Sequence, residues 1–443
     1  MRHRQIESNH IRVARRIHGD VAQRTGHELP VRLWDGSMLG PDHAPYRIVL
    51  NHAWSLRSML LPPSDLAAGE AYVFGDVDVE GDMTAALEAA MELSDRPLSA
   101  GERSWLAAQL MRFPRPPRHP RSRRARLRMP HFGKGGDREA IAFHYDLPNS
   151  FFETFLDPEM VYSCGYFTEN DPDLAAAQRR KLDVVCRKLR LRPGARLLDI
   201  GCGWGSLLAH AAEHYGVTGV GVTLSETQAA AGNASLARCG LTDQVEVRLQ
   251  DYRDVEGTFD AVASIGMVEH VGKARLKEYM STVHGLLADG GLFLNHGIVS
   301  ADPDRSAKVR EKTFIHCYVF PGGELTPLWR GTFEAERANF EVLDVEQLRL
   351  HYARTLRAWI ANLERNRDAA IAAGGESAYR IWRAYMAGSA VAFARNHIGV
   401  VQTLLSKNAE VPLGRRWMLP AEHVEAVGPV EAPDQVTAEL ERG

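Results

Sequence analysis

Three glycines at alternate positions, Gly201, Gly203 and Gly205, follow the apolar run Leu197-Leu198-Asp199-Ile200 and lead into an Ala-rich stretch from Leu207 to His214. Glycines so spaced let the backbone turn tightly between a strand and a helix. They also let a ligand lie directly against main-chain amides, because no Cβ stands in the way. That is the chemistry of cradling a nucleotide-like cofactor at the carboxyl end of a strand. Taken alone, the pattern describes a plain strand-to-helix turn equally well. Other chemistry-bearing residues fall at the ends of strand-like runs: Thr223, Ser225 and Gln228; Asp251 and Tyr252; Glu269 and His270; His296. A dinucleotide enzyme shows an Asp or Glu at the tip of the second strand for the ribose hydroxyls. Here that tip reads Thr223-Leu224-Ser225, which argues against a nicotinamide cofactor and leaves Thr223 and Gln228 as hydroxyl and amide partners for a nucleoside.

Side chains so dispersed need a scaffold that brings strand ends together. Strand-like runs at Leu197 to Ile200, Thr218 to Val222, Val245 to Leu249, Phe259 to Ser264 and Leu292 to Ile298 alternate with helical stretches at Glu226 to Cys239 and Arg275 to Leu287. Such alternation predicts an α/β fold with a doubly wound parallel sheet. Ahead of it, Leu182, Val185, Cys186 and Leu189 recur at helical spacing. Leu147 to Ser150 reads as a break and N-cap for a short aromatic helix, Phe151 to Leu156. The stretch from about Pro303 to Arg416 reads as largely helical, a cover for the crevice.

Residues 1–110 read as a small mixed domain, with strands at Val31 to Trp34 and Tyr46 to Leu50 and a helix from Met83 to Leu93. Residues 111–134 form an Arg/Pro-rich linker: eight arginines and four prolines lie between Arg112 and Arg128. It is either a solvated tether or an electrostatic contact with a polyanion, nucleic acid or anionic bilayer. The remaining 135–443 form the second domain. In 443 residues with 45% hydrophobic residues and a net charge of -3, nothing is basic overall. Five scattered cysteines without a CxxC pair point away from a disulfide scaffold or zinc site and toward a reducing cytoplasm. Met1 to Arg16 is polar and basic, without the roughly 7–15-residue apolar core of a secretory signal, and no run approaches the ~18 apolar residues of a membrane span. Membrane contact is therefore expected to be peripheral.

Seven segments occur in a telling order: His144-Tyr145-Asp146, Tyr162-Ser163-Cys164, Leu198 to Gly205, Gly221 to Ser225, Glu269-His270-Val271-Gly272, Tyr318 to Gly323, and His351 to Leu356. Together they resemble the cyclopropane-fatty-acyl-phospholipid synthase family, which includes the mycolic acid cyclopropane synthases, over about residues 140 to 410. The resemblance implies a class I SAM-dependent methyltransferase-like Rossmann domain with helical cover and a small N-terminal α+β domain of the lipid-binding kind. It also implies a reaction of S-adenosyl-L-methionine (SAM) at the cis double bond of an acyl chain. The alkene takes the sulfonium methyl, leaving a carbocation, and loss of a proton from the added carbon closes a cyclopropane ring, with bicarbonate as base.

The positions matching the bicarbonate ligands are Cys164 and Ile298 through the backbone, and Glu269, His296 and Tyr352 through side chains. Those matching the cofactor site are Tyr162, Ser163, Gly201, Gly203, Thr223, Gln228 and Tyr252, the last on or beside the adenine. Glu269 next to an anion must be protonated or offset by His296. Plain structural roles stay open for several: His296 as a core histidine, Tyr352 and Tyr252 as packing residues, Glu269 as a helix cap. The expected partners are phospholipid acyl chains at an anionic membrane surface, with the enzyme peripheral on the cytoplasmic side of the inner membrane; a homodimer is compatible with this. Rearrangement of the same cation would give a methylene- or methyl-branched chain instead. A nucleic-acid methyltransferase ranks low, because Gly266-Met267-Val268-Glu269-His270 stands where an amino-group base methylase carries an Asn/Asp-Pro-Pro-Tyr motif. A catalytically silent SAM-binding protein is the remaining alternative.

Overall fold

The computed structural model describes residues 2–117, 147–168, 173–303 and 313–419. His144-Tyr145-Asp146 and most of the Arg/Pro-rich stretch lie outside these. The N-terminal unit begins with α1 (Arg2–Thr25), followed by β1 (Val31–Arg32), β2 (Met38–Leu39) and β3 (Tyr46–Leu50). Then come α2 (Ser55–Leu60), α3 (Asp65–Val73), β4 (Val77–Gly81), α4 (Met83–Ser94) and α5 (Ala100–Leu110). Its sheet runs β2-β1-β3-β4, with β1 parallel to β3 and the other pairs antiparallel. Caps from Ser64, Asp82 and Ser99 start α3, α4 and α5, each side chain accepting from a first-turn amide. Packing continues past α5: Phe113 is buried in the same core, and Arg57 donates to its carbonyl at 2.8 Å.

The second unit holds α6 (Asn149–Phe152), α7 (Leu174–Lys188), β5 (Arg196–Ile200), α8 (Ser206–Tyr215), β6 (Thr218–Thr223), α9 (Glu226–Arg238), β7 (Val245–Leu249), β8 (Phe259–Ile265), α10 (Val268–Val271), α11 (Leu276–Leu286) and β9 (Leu287–Ser300). After them come α12 (Phe314–Tyr318), β10 (Thr326–Pro327), α13 (Leu328–Arg337), β11 (Glu341–Gln347), α14 (Arg349–Arg365), α15 (Arg367–Gly374), α16 (Glu376–Ala394) and β12 (Ile398–Ser406). The sheet order is β11-β12-β9-β8-β5-β6-β7, with β10 paired to the end of β9.

Five strands from β7 to β9 are parallel, as the alternating pattern predicts. The doubly wound parallel sheet and the largely helical C-terminal region hold, with one addition to each: β12 joins β9 antiparallel, and β11 joins β12 antiparallel. Almost all of β12 is buried, so it lacks the polar-apolar alternation of a half-exposed strand. The short aromatic helix is corrected to Asn149–Phe152: Pro148 takes the cap position without a side-chain bond, and Asn149 Oδ1 accepts from the Trp204 indole at 3.0 Å.

The two units are joined by side chains of α16. Arg380 donates to Tyr72 O and Val77 O, and Arg383 to Val79 O and Gly81 O, at 2.8–3.1 Å. These carbonyls belong largely to the outer edge of β4, so two buried guanidiniums satisfy a sheet edge that would otherwise lack partners. Among the described residues no helix is long and apolar enough to cross a membrane.

Candidate active site

The carboxyl ends of β5, β6, β7 and β8 form one cleft, and the glycine turn is its floor. Gly201 and Gly203 have φ of +77° and +55°, which favours glycine. A Cβ at Gly203 would point into open space, so this backbone can be approached closely. The Gly201 and Cys202 amides are already used, donating to Val222 O at 2.9 and 3.1 Å. They hold the turn, and the expectation that a ligand rests on them is corrected to that extent. All seven predicted cofactor residues, Tyr162, Ser163, Gly201, Gly203, Thr223, Gln228 and Tyr252, line this cleft. Thr223 Oγ1 donates to Gln228 Oε1 at 2.8 Å, which leaves the Gln228 amide nitrogen as the outward donor of the pair. Tyr252 opens a short 3-10 turn, and its ring meets Tyr279 edge-on with centroids 5.7 Å apart. The aromatic walls, turn and hydroxyl-amide pair fit a nucleoside with an amino-acid tail.

A second, larger cavity of about 1610 Å³ adjoins the first, and Tyr162, Ser163, Gly266 and His270 line both. Cys164, Glu269, His296, Ile298 and Tyr352, the five predicted reaction-site residues, all line it. Glu269 lies in the first turn of α10, just past the end of β8, and its Oε1 accepts from the Ile298 amide at 2.7 Å. The Ile298 donor is thus engaged by Glu269. Burial pushes the Glu269 carboxyl up to about 7, partly opposed by that amide. His296, in β9, is 2% exposed, and burial pushes it down to about 3, helped by the charges of Lys181 and Lys188. The ring is neutral near pH 7, so His296 does not offset a charge on Glu269; below about 7 the carboxyl keeps its own proton.

The Gln402 amide nitrogen lies 3.3 Å from His296 Nδ1. In that geometry Nδ1 accepts and the proton of the neutral ring sits on Nε2. Glu269 Oε2 and His296 Nε2 are buried polar atoms with no partner in the protein. Such atoms call for a polar ligand, and a protonated carboxyl and an N–H lining one cavity suit a small oxyanion such as bicarbonate. Tyr352, on α14, is 9% exposed, and its ring packs on Phe393 with centroids 4.7 Å apart. The Cys164 thiol is fully buried, which pushes its pKa well above the usual range, so the sulfur is no thiolate nucleophile.

Sequence reasoning missed two residues here. Lys181, 1% exposed on α7, lines the cofactor cleft and donates to Ser163 Oγ at 2.9 Å. Burial pushes its ammonium down to about 8. Its signal was a lysine four residues before Val185, on the stripe read only as core. Gln402 fixes His296 from β12, a strand the sequence did not reveal. The His351-Tyr352 motif also acquires a structural reason. His351 Nδ1 accepts from the Phe167 amide and Thr355 Oγ1 from the Gly165 amide, each at 3.0 Å, which pins the loop carrying Tyr162 to Cys164 onto α14.

The family profile described as mycolic acid cyclopropane synthetase matches residues 133–403. The chain belongs to that family. A probable fatty acid methyltransferase of Pseudomonas putida is 40% identical over 382 residues, covering 86% of this chain and 92% of its own length. A probable fatty acid methyltransferase of Mycobacterium tuberculosis is 39% identical over 420 residues, covering 90% and 97%. Among solved structures, the cyclopropane synthase MmaA2 from Mycobacterium tuberculosis superposes with a TM-score of 0.58 at 33% identity, covering 61% of this chain and 98% of its own. Mycolic acid cyclopropane synthase CmaA1 complexed with SAH and CTAB gives 0.57 at 35% identity, covering 60% and 97%. As a family member, the chain is a SAM-dependent methyltransferase of the cyclopropane synthase kind, with the class I methyltransferase fold. The N-terminal unit precedes the segment that the family profile matches.

Proposed function

We propose that this family member transfers a methylene group from SAM to the cis double bond of unsaturated phospholipid acyl chains, forming a cyclopropane ring, with bicarbonate as the base. The larger cavity supports this reading most directly. It is continuous from Glu269, His296 and Tyr352 to the apolar interior of the N-terminal unit at Ile17, Leu33, Ile48, Met59 and Trp105. At about 1610 Å³ it exceeds the roughly 300–1,000 Å³ of a pocket for a compact small molecule, and its walls suit a long hydrocarbon.

SAM supplies an electrophilic methyl group, and bicarbonate supplies a base for the proton that leaves. The protein's own contribution is placement and dryness. The walls shared by cleft and cavity bring the chain to the cofactor's reactive end. Apolar walls keep water from a carbocation on the chain, and fixed dipoles near an anion stabilise developing positive charge. Neutral His296 offers Nε2–H, Glu269 holds a proton at Oε2, and Cys164 lends its backbone rather than its sulfur. The N-terminal unit serves as the lipid-binding part, at a membrane surface on the cytoplasmic side.

A methylene- or methyl-branched product is the second reading. It is supported by two relatives that cover 86% and 90% of this chain, both described as probable fatty acid methyltransferases. Expression in a bacterium lacking such enzymes, with fatty-acid mass spectrometry and proton NMR, tests both. High-field ring hydrogens support the cyclopropane, olefinic methylene or methyl-branch signals support the second reading, and no acyl chain enlarged by one carbon overturns both.

A further inference from the structure

The helices α1 and α5 wall the larger cavity on one side and carry a concentration of arginine on the other. They pack side by side and run in opposite directions. Arg24 pairs with Glu102 at 2.9 Å toward one end, and the Arg16 guanidinium carbon lies 5.6 Å from the Trp105 ring centroid. Toward the other end the His10 and Phe113 rings are 5.8 Å apart. Inward, Ala14, Ile17 and Val21 of α1 and Leu106 and Leu110 of α5 line the cavity that Glu269 also lines. Outward, Arg12, Arg15, Arg16, Arg103, Arg112 and Arg115 are exposed.

Nearby carboxylates do not cancel this charge. Residues 8–25 and 100–115 hold seven arginines and two acids, Asp20 and Glu102. Both acids are bound to the single guanidinium of Arg24, each at 2.9 Å. Asp35, which feels the charge of Arg15, is a third acid. Arg57, reaching Met111 Sδ at 3.4 Å, is an eighth arginine. Glu28, three residues past α1, is offset by Arg96, which donates to the Arg24 and Thr25 carbonyls at 3.3 and 3.1 Å. Glu92 and Asp95 on the α4 side are held by Arg395. The chain as a whole carries -3, so this positive charge is local, and no acidic residue occurs between Arg112 and Arg128.

We propose that the exposed arginine face of α1 and α5 is where this enzyme docks on an anionic lipid bilayer. The inference rests on the lipid reading above and names the surface it uses. Guanidiniums suit the phosphates of such a surface, each adding roughly fivefold to partition. Met111, 57% exposed among them, can enter between head groups. Arg96 and Arg103 are exposed and also line the cavity, so the basic face and the cavity meet at the start of α5, where an acyl chain enters. Like charge sets this face against a second copy of itself; a nucleic acid is the competing polyanion.

The test compares the full-length enzyme with an Arg12→Gln/Arg112→Gln/Arg115→Gln variant and with the same three positions changed to Lys. All three positions are exposed, so the core is left intact. Sedimentation with vesicles of dioleoyl phosphatidylglycerol or dioleoyl phosphatidylcholine reads docking. SAH titration reads the cofactor site, and turnover of phosphatidylglycerol in detergent micelles reads the chemistry. Wild type is expected on the phosphatidylglycerol vesicles, less so as salt is raised. The Gln variant should lose roughly tenfold to a hundredfold in partition, the Lys variant little, with SAH affinity and micellar turnover kept in both. Equal partition of wild type and the Gln variant, or of wild type onto the two vesicle types, overturns the docking assignment. So does a wild type that ignores both vesicle types, and its binding to single-stranded RNA would then give the face to nucleic acid. If no protein alters the micellar lipid, the phospholipid reading fails, while sedimentation still decides the docking face.

Discussion

Glu269 carries the central chemical demand: a carboxyl beside an anion must keep its proton. Burial supplies that by raising its pKa to about 7, while His296, lowered to about 3, stays neutral. Activity that needs the protonated carboxyl should decline as pH rises through about 7. Glu269→Gln should cost about a hundredfold in kcat and flatten that alkaline limb; full activity with an unchanged pH profile would contradict the assignment. Stability should move with it. Between the ordinary carboxyl value of 4.5 and about 7, the folded protein holds a proton that the unfolded chain has released. That contribution is therefore present at low pH and lost as pH rises through the window. Denaturant titrations of wild type and Glu269→Gln should show wild type losing ground from pH 5 to 8.

Lys181 belongs to the same scale. Lys181→Met keeps the length of the side chain but releases Ser163 Oγ. SAH affinity is expected to fall about tenfold by calorimetry, with some loss of stability because the buried Asp157 and Asp199 carboxyls lose the charge that favours them. Unchanged affinity would remove Lys181 from the cofactor site. Sequence spacing marked the glycine turn, Glu269 and His296, whose types stand out at strand ends. Lys181 was hidden because helical periodicity assigns a face, not the chemistry that the face meets.

At the scale of elements, β5 to β9 were legible because buried parallel strands are short apolar runs punctuated by turns. The antiparallel β12 was not, since it reads as one more apolar stretch after the long helix α16. That omission matters chemically, because Gln402 on β12 sets the His296 tautomer. The arginines of α16 were equally silent in sequence. Arg380→Ala or Arg383→Ala leaves carbonyls of β4 unsatisfied in a buried interface, an expected loss of about 2–4 kcal/mol in urea unfolding. A change within a few tenths of a kcal/mol would mean that the β4 edge finds other partners.

At the scale of the whole molecule, the N-terminal unit offered no chemistry to a sequence reader, since its apolar residues are scattered. Folded, Ile17, Leu33, Met59 and Trp105 converge on the cavity that Glu269 and Tyr352 also line. Gly388, on α16, lines this cavity, and a Cβ there would meet Leu87 Cδ1 at 3.7 Å, an ordinary contact. Gly388→Phe should obstruct the passage between the units without touching the cofactor cleft. Lipid profiling of cells expressing it should show modified long chains reduced about tenfold or more, with SAH binding intact. An unaltered profile would mean that the acyl chain does not use this passage.

The account turns on whether a phospholipid acyl chain in this cavity receives a carbon from SAM and closes a ring. Purified full-length enzyme, SAM deuterated at the methyl group, bicarbonate and dioleoyl phosphatidylglycerol in detergent micelles decide it, read by mass spectrometry and proton NMR of the recovered lipid. The predicted result is an acyl chain enlarged by one carbon that keeps two of the three deuterons, with no remaining alkene at that position and with high-field ring-methylene protons that are seen with unlabelled SAM and lost with the deuterated cofactor. A lipid recovered unchanged while the enzyme binds SAH would contradict it.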